Sequence, residues 1–409
     1  MLSAIAPVRS LLLSIFVMMA GAGFMSTLVG VRLTATGHPP VVVGAVATAY
    51  FAGLAVGALK AGLVISSVGH IRAFAAFVSL LSATTLAYAL AQHSIFWAAL
   101  RFADGLCVAG VYVCLESWLN ARAEPRRRGS VLAAYMIALY AGQALGQFLL
   151  NIGDAKPSLP FAVASILISL AVIPVALTRG VSPAFGEAPM LSIPHLFAIS
   201  PLGVAGAATT GVMMGGFYGL GAVYARQMGL DVAATATFMS AVIFGGVALQ
   251  WPVGWLSDKF DRRRVITISF AGVAVVGAGI ALCGDAKLPL LGLGGLFGGL
   301  CFALYPLCVA HTNDHLGADQ RVAASGGLVM IYSLGAAIGP VAGGLAMSMM
   351  GAPGLFLFFT ACALASLAFA MWRHWSSQPV PQELQQGFQS LPRTTPMSAA
   401  LDAHSEGRE

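Results

Sequence analysis

A chain of 409 residues that is 58% hydrophobic and 9% charged, with a mean hydropathy of +0.85, has too little polar surface to solvate a water-soluble globule. Its formal net charge of +6 does not point to nucleic acid, because the basic excess lies in short segments beside long apolar runs, where it sets topology and meets anionic lipid. Lipid is therefore the expected solvent, and nucleic acid is excluded as a partner.

The apolar runs are about 20 residues long, which is what a helix needs to cross ~30 Å of hydrocarbon, and they lack the alternation of a barrel strand. In chain order the predicted spans are Leu11–Leu33, Val41–Val64, Ala73–Ala91, Ile95–Leu119, Val131–Asn151 and Leu159–Leu177, then Pro201–Tyr224, Ala233–Leu256, Val265–Cys283, Leu288–Ala310, Ser325–Met350 and Gly354–Trp372. The run after Arg9 continues past Met25 to Leu33, too long for the apolar region of a secretory signal, so it reads as a retained first helix.

The resulting organisation is a six-helix bundle over 1–178, a linker over 179–200, a second six-helix bundle over 201–372 and a tail over 373–409. The linker holds Pro183, Pro189 and Pro194. The tail turns polar and loses all periodicity, so it is expected to be disordered and is assigned no chemistry. Thirteen basic residues near span ends fall on one side, among them Arg9, Arg72, Arg122, Arg126, Arg179, Lys259 and Arg321. Only Arg32, Lys156, Arg226 and Lys287 fall on the other. The basic side is expected to be cytoplasmic, which puts both termini there and the chain in the cytoplasmic (inner) membrane.

The two bundles are copies. Gly62 and Arg72 recur as Gly254 and Arg264 at an offset of 192, with Ser66 and Gly69 standing where the second copy has Asp258 and Asp261. Tyr112, Asn120, Arg128, Gly142 and Gly146 recur as Tyr305, Asn313, Arg321, Gly335 and Gly339 at an offset of 193. Six spans per copy is even, so the repeats run parallel: an all-α membrane protein with twelve transmembrane helices in two parallel six-helix repeats. Glycines four apart, such as Gly53 and Gly57, line one helix face and let helices approach closely; a helix that must slide or bend uses the same residues.

The loop GWLSDKFDRRR (Gly254 to Arg264) resembles the cytoplasmic loop motif of the major facilitator superfamily (MFS), whose architecture is twelve spans in two parallel halves. Arg101, Gly105 and Gly110 resemble its fourth-helix pattern RxxxGxxxxG. GAAIGPVAGG, Gly335 to Gly344, resembles its GxxxGPxxGG pattern but sits in the eleventh helix rather than the fifth, so it carries no inference of efflux. ESWLN, GHIRAF and AHTND are similar to the YcaD-like branch. The resemblance implies a secondary transporter, not an enzyme, that moves a small organic molecule by alternating access. Protons are the default coupling ion, efflux is preferred over uptake, and the protein is expected to act as a monomer. A non-transporting sensor or scaffold of the same fold is the competing reading.

Candidate site residues follow in three groups. For proton coupling, Asp104 with Arg101 one turn away, Glu116 and His311 are the intramembrane titratable groups. The same residues read structurally as a static Arg101–Asp104 pair with Arg101 snorkelling outward, as a Glu116 partner for the basic loop Arg122 to Arg128, and as a hydrogen-bonding His311 at a helix end. For the cavity, the resemblance points to helices one, four, seven and ten, hence Ser26, Thr27, Tyr112, Thr209, Thr210, Tyr218 and Tyr305, with Gln143 and Gln147 of helix five. For the cytoplasmic gate, Asp258 is expected to meet the start of helix five near Gly129 and Ser130 when that side is closed, assisted by Arg262, Arg263, Arg264 and, in the first copy, Arg72; a solvated loop acid is the alternative. The six cysteines lie at or in spans without metal-ligand spacing. No metal or cofactor is expected, and no GxxxxGK[ST] phosphate loop is present.

Overall fold

The computed structural model describes residues 8–124, 127–153, 156–177, 190–284, 286–376, 385 and 387–395. Arg126 and Arg179, the first half of the 179–200 linker and the remainder of the tail lie outside these residues. The first six long helices are α1 (Arg9–Ala35, interrupted at Gly23 and Phe24), α2 (Pro40–Val68), α3 (His70–Ala87), α4 (Ser94–Arg122), α5 (Arg128–Gly146, continuing as a 3-10 turn over Gln147–Gly153) and α6 (Leu159–Ala176). The second six are α7 (Pro201–Gln227), α8 (Val232–Lys259), α9 (Arg262–Leu282), α10 (Lys287–Asn313), α11 (Ala318–Met350) and α12 (Gly354–Ser376). A short helix, Ile193–Ile199, precedes α7 in the linker.

Among the described residues, eleven of these helices are long and apolar enough to cross a membrane. The twelfth, α7, is long enough at 27 residues, but its glycines and its threonine pair dilute its hydropathy. It is packed on α11, α10, α12 and the second part of α1, so it has little need of a lipid-facing apolar surface. Backbone groups in hydrocarbon must pair internally, which accounts for the wholly helical architecture. The ends are set by local chemistry: Asp231 Oδ1 caps α8 by accepting from Ala234 N–H at 2.7 Å. Gly69 and Gly351, at φ of +82° and +73°, end α2 and α11 in a conformation that other residues rarely adopt.

The duplication is visible in the packing. Helices α2 and α4 pair as α8 and α10 do, α1 and α5 as α7 and α11, and α3 and α6 as α9 and α12. Close-packing glycines serve these pairs. A side chain on Gly53 or Gly105 would overlap backbone between α2 and α4, and one on Gly142 or Gly146 would overlap the α1 backbone. On Gly335 or Gly339 it would overlap the backbone of α7.

The halves meet closely at the end away from the basic loops. There Thr48 Oγ1 of α2 donates to Ala337 O of α11 at 2.7 Å, and Ser240 Oγ of α8 donates to Ala144 O of α5 at 2.8 Å. Gly44 lies against the Pro340 carbonyl, and Gly344 against Pro40. At the basic end the gap between the halves is occupied by the chain's own C-terminal segment. This amends the expectation of a disordered tail from residue 373: α12 runs to Ser376, and Leu391, Pro392, Arg393 and Thr395 are buried. The segment has no periodicity of its own because its order comes from the surface it fills.

Candidate functional site

A central cavity of about 110 Å³ lies between the halves and draws on α1, α2, α4, α5, α7 and α11. The interruption of α1 sits on it, at Gly23, whose carbonyl accepts from Gln147 Nε2 at 3.2 Å. Its polar lining includes Ser26, Tyr112, Gln143 and Tyr218, four of the residues expected from sequence. Tyr50, Tyr140, Tyr332 and Ser333 also line it, from helices outside the one, four, seven, ten set. Arg393 and Thr394 of the tail complete the wall.

The other expected cavity residues are placed elsewhere. Thr27 is buried and donates to Gln147 Oε1 at 2.8 Å, so this pair pins α1 to α5 inside the first half. Thr209 accepts from Ser366 Oγ at 2.8 Å in a crevice between α7 and α12. Thr210 is fully buried, with its hydroxyl turned back to Gly206 O. Tyr305 lies outside the lining and packs edge-on against the Tyr332 ring at 5.2 Å, supporting a ring that does line the cavity.

Beside the main cavity is a smaller one of about 40 Å³, lined in part by Arg101, Asp104, Tyr50, Tyr112 and Gln143. The Asp104 carboxylate accepts from Thr84 Oγ1 and Tyr88 Oη, each at 2.6 Å, and lies 3.6 Å from Arg101 Nη1. Arg101 donates to Ser26 Oγ and stacks 4.2 Å above the Tyr50 ring. Both charges are at most 3% exposed. Arg101 therefore points inward across the bundle, which corrects the reading in which it snorkels outward. A charge this deep is tolerated only with such partners.

Glu116 is fully buried on α4 and accepts from Tyr135 Oη at 3.0 Å and from the hydroxyls of Thr394 and Thr395. Among the described residues its partners are these hydroxyls rather than the arginines of the loop Arg122 to Arg128, where it was expected to pair; Arg126 of that loop lies outside the described residues. His311 is buried on α10 and packs edge-on against His315, whose Nδ1 lies 2.8 Å from its carbonyl.

At the basic end, Arg262 bridges Asp314 at 2.6 Å and Asp258 at 3.2 Å. Arg263 pairs with Asp261 at 3.2 Å, so only Arg262 of the three arginines touches Asp258; Arg264 and Arg72 are exposed. The other Asp258 contact is the Phe388 N–H of the tail, at 2.7 Å. The Phe388 ring lies where a Gly254 side chain would stand, and Gln389 approaches Gly129. Gly254 and Asp258 of the loop motif thus hold the tail in the gap where Asp258 was expected to meet the start of α5.

Comparison with known proteins agrees with this geometry. Residues 11–294 and 204–401 match the Major Facilitator Superfamily in two overlapping stretches. An uncharacterized MFS-type transporter of Yersinia enterocolitica is 30% identical over 364 residues, 88% of this chain and 94% of its own. The uncharacterized MFS-type transporter YcaD of Escherichia fergusonii is 31% identical over 338 residues, 82% of this chain and 87% of its own. Among solved structures, the nucleoside transporter NupG superposes with a TM-score of 0.76 at 13% identity, covering 91% of this chain and 99% of that one. A bacterial homolog of the human lysosomal transporter Spinster, inward-facing and occupied, gives 0.76 at 14%, covering 92% and 97%.

Proposed function

The chain belongs to the major facilitator superfamily as a multi-pass membrane transporter, and from that premise we propose that it moves a small organic solute by alternating access. The observation that carries this reading is the asymmetric seal. The halves are hydrogen-bonded and glycine-packed together at one end and separated at the other, with an aromatic and polar cavity between them. With the basic loops read as cytoplasmic, this arrangement is the inward-facing state, and rocking of the halves would expose the cavity to the opposite side. The inner membrane and cytoplasmic termini belong to the same proposal, as does a monomeric working unit.

Proton coupling is proposed through Asp104, whose carboxylate sits beside the smaller cavity with two hydroxyl donors and one guanidinium, and through Glu116, buried one turn beyond Tyr112 on α4. Efflux is the proposed direction, since an aromatic lining suits amphiphilic compounds that partition from the membrane or cytoplasm. The test is purified protein in liposomes, with flux of candidate solutes followed with and without a proton gradient. Gradient-dependent flux is expected in the wild type and is expected to fail in Asp104→Asn. Ligand binding without any flux would instead favour a sensor or scaffold.

A further inference from the structure

The tail reaches deep into the transport path. Tyr140, the hydrogen-bond partner of Arg393 at 3.1 Å, is twelve residues into α5, which is about 18 Å along the helix at 1.5 Å per residue. From Phe388 at the mouth to Arg393 is five residues, an extended reach of roughly 17 Å, so the described segment spans from the gate motif to the cavity wall. Along that path Leu391 and Pro392 are buried, and the Arg393 guanidinium lies 4.2 Å from the Phe302 centroid and 5.6 Å from that of Tyr332. Thr394 and Thr395 then complete the hydrogen bonds of Glu116.

The chemistry of this occupant describes the site it fills. A planar cation rests on aromatic faces, and two hydroxyls meet the carboxylate. Cation recognition by aromatic faces is favourable where water is excluded. The intramembrane charges facing this region are Glu116 and the Arg101–Asp104 pair, and that pair is internally neutral. Without the tail, the space that Thr394 and Thr395 vacate beside the cavity is therefore bordered by one uncompensated carboxylate, and Glu116 keeps only Tyr135 among the partners described. A buried carboxylate in that position calls for a cation or a proton.

We propose that the central cavity is a binding site for an organic cation, and that the segment Phe388–Thr395 is an internal competitor for it, with Arg393 in the place of the substrate's cationic group. The proposal rests on the transport reading for its consequence: while the tail stands between Gly129 and Asp258, the basic end is held apart and neither binding nor closure proceeds. Withdrawal of the tail frees both at once. A tail docked nine-tenths of the time lowers the apparent affinity of a competing cation about ten-fold.

The test uses tetraphenylphosphonium and phenylguanidine as probes, with equilibrium binding measured in detergent on the full chain, on full-length Arg393→Ala and Arg393→Lys, and on a chain ending at Ser376. Arg393→Ala and the truncated chain are expected to bind both cations about ten-fold more tightly than wild type, with Arg393→Lys close to wild type. A synthetic peptide of residues 387–395 is expected to displace the probes from the truncated chain competitively, and the same peptide with Ala for Arg393 to fail. Glu116→Gln in the chain ending at Ser376, where no tail competes, is expected to weaken cation binding. Unchanged affinity in Arg393→Ala together with no competition by the peptide would overturn the plug. Absence of cation binding in every variant would overturn the cation site, and if such a variant still moves a neutral solute into liposomes, the transport reading survives that loss. Tight cation binding without flux would do the reverse.

Discussion

Removing Asp104 should destabilise the protein more than removing Arg101, although the two form one pair. In Asp104→Leu, Arg101 stays buried with Ser26 and the Tyr50 face but no counter-ion, and a guanidinium cannot shed its charge. Breaking a buried pair in this way costs about 3–5 kcal/mol. Tyr88 also loses its acceptor, adding about 1–3 kcal/mol, whereas Thr84 still donates to Leu81 O at 2.9 Å. In Arg101→Leu, Asp104 keeps both hydroxyl donors and can take up a proton, so the loss is smaller, about 2–3 kcal/mol. The double Leu variant removes both charges and leaves mainly the Tyr88 hydroxyl unmatched, so it should be less damaged than Asp104→Leu alone. Unfolding in mixed detergent micelles, followed by tryptophan fluorescence, provides the four corners of the cycle. Equal costs for the two single variants, or additive costs in the double, would refute a coupled buried pair.

Thr48→Val and Ser240→Ala each remove one hydrogen bond between the halves, worth about 1 kcal/mol, and should shift the equilibrium roughly five-fold toward opening at the far end. Labelling of a single introduced cysteine near Gly44 by an impermeant thiol reagent reads this out, and unchanged labelling would count against the seal. Thr27→Val should lower stability by about 1–3 kcal/mol by leaving Gln147 Oε1 unmet, without changing KM, because neither residue lines the cavity. Asp261 caps α9. Burial opposes ionisation of its carboxyl, but hydrogen bonds from the Arg263 backbone and side chain outweigh this and hold it below the usual carboxylate range. Its stabilisation is present above the unfolded value near pH 4 and is lost as pH falls through the folded one. Asp261→Ala should therefore cost about 1 kcal/mol at pH 7 and show a shallower acid loss.

Much of the architecture was legible because its signals are repeated. Span length and the even count of spans recur in both copies, Gly142 and Gly146 recur as Gly335 and Gly339, and every glycine pair singled out in sequence lies against a neighbouring helix backbone. The helix faces were harder to read. In α7, small residues occur all round, so no apolar stripe fixes the rotation, and neighbouring positions diverge by about 100°. Thr209 and Thr210 accordingly point to α12 and back into their own helix rather than to the cavity. Tyr50, Tyr140 and Tyr332 escaped because an aromatic residue in an apolar run gives no contrast. The tail escaped for a different reason: its contacts are all tertiary, and its isolated sequence reads as polar and aperiodic.

The two copies of the loop motif now differ in a way that decides how Asp258 works. In the first copy Ser66 is exposed and bonds only the carbonyl of Leu63 on its own helix, whereas Asp258 accepts from the tail here and is expected from sequence to meet the start of α5 in the closed state. These partners demand different things. The Phe388 N–H needs an acceptor oxygen, which an amide also supplies; a helix start is favoured by negative charge, which an amide lacks. Asp258→Asn should thus retain the docked tail yet weaken closure of the basic end, while Asp258→Ala should lose both. Because the side chain is 39% exposed, the tail contact is worth no more than about 1 kcal/mol, roughly a five-fold change in docking. Limited proteolysis of the tail measures the first effect, and cysteine accessibility in the cavity from the basic side measures the second. If Asn released the tail as fully as Ala, charge rather than hydrogen bonding would be holding it, and the division of labour argued from this geometry would be wrong.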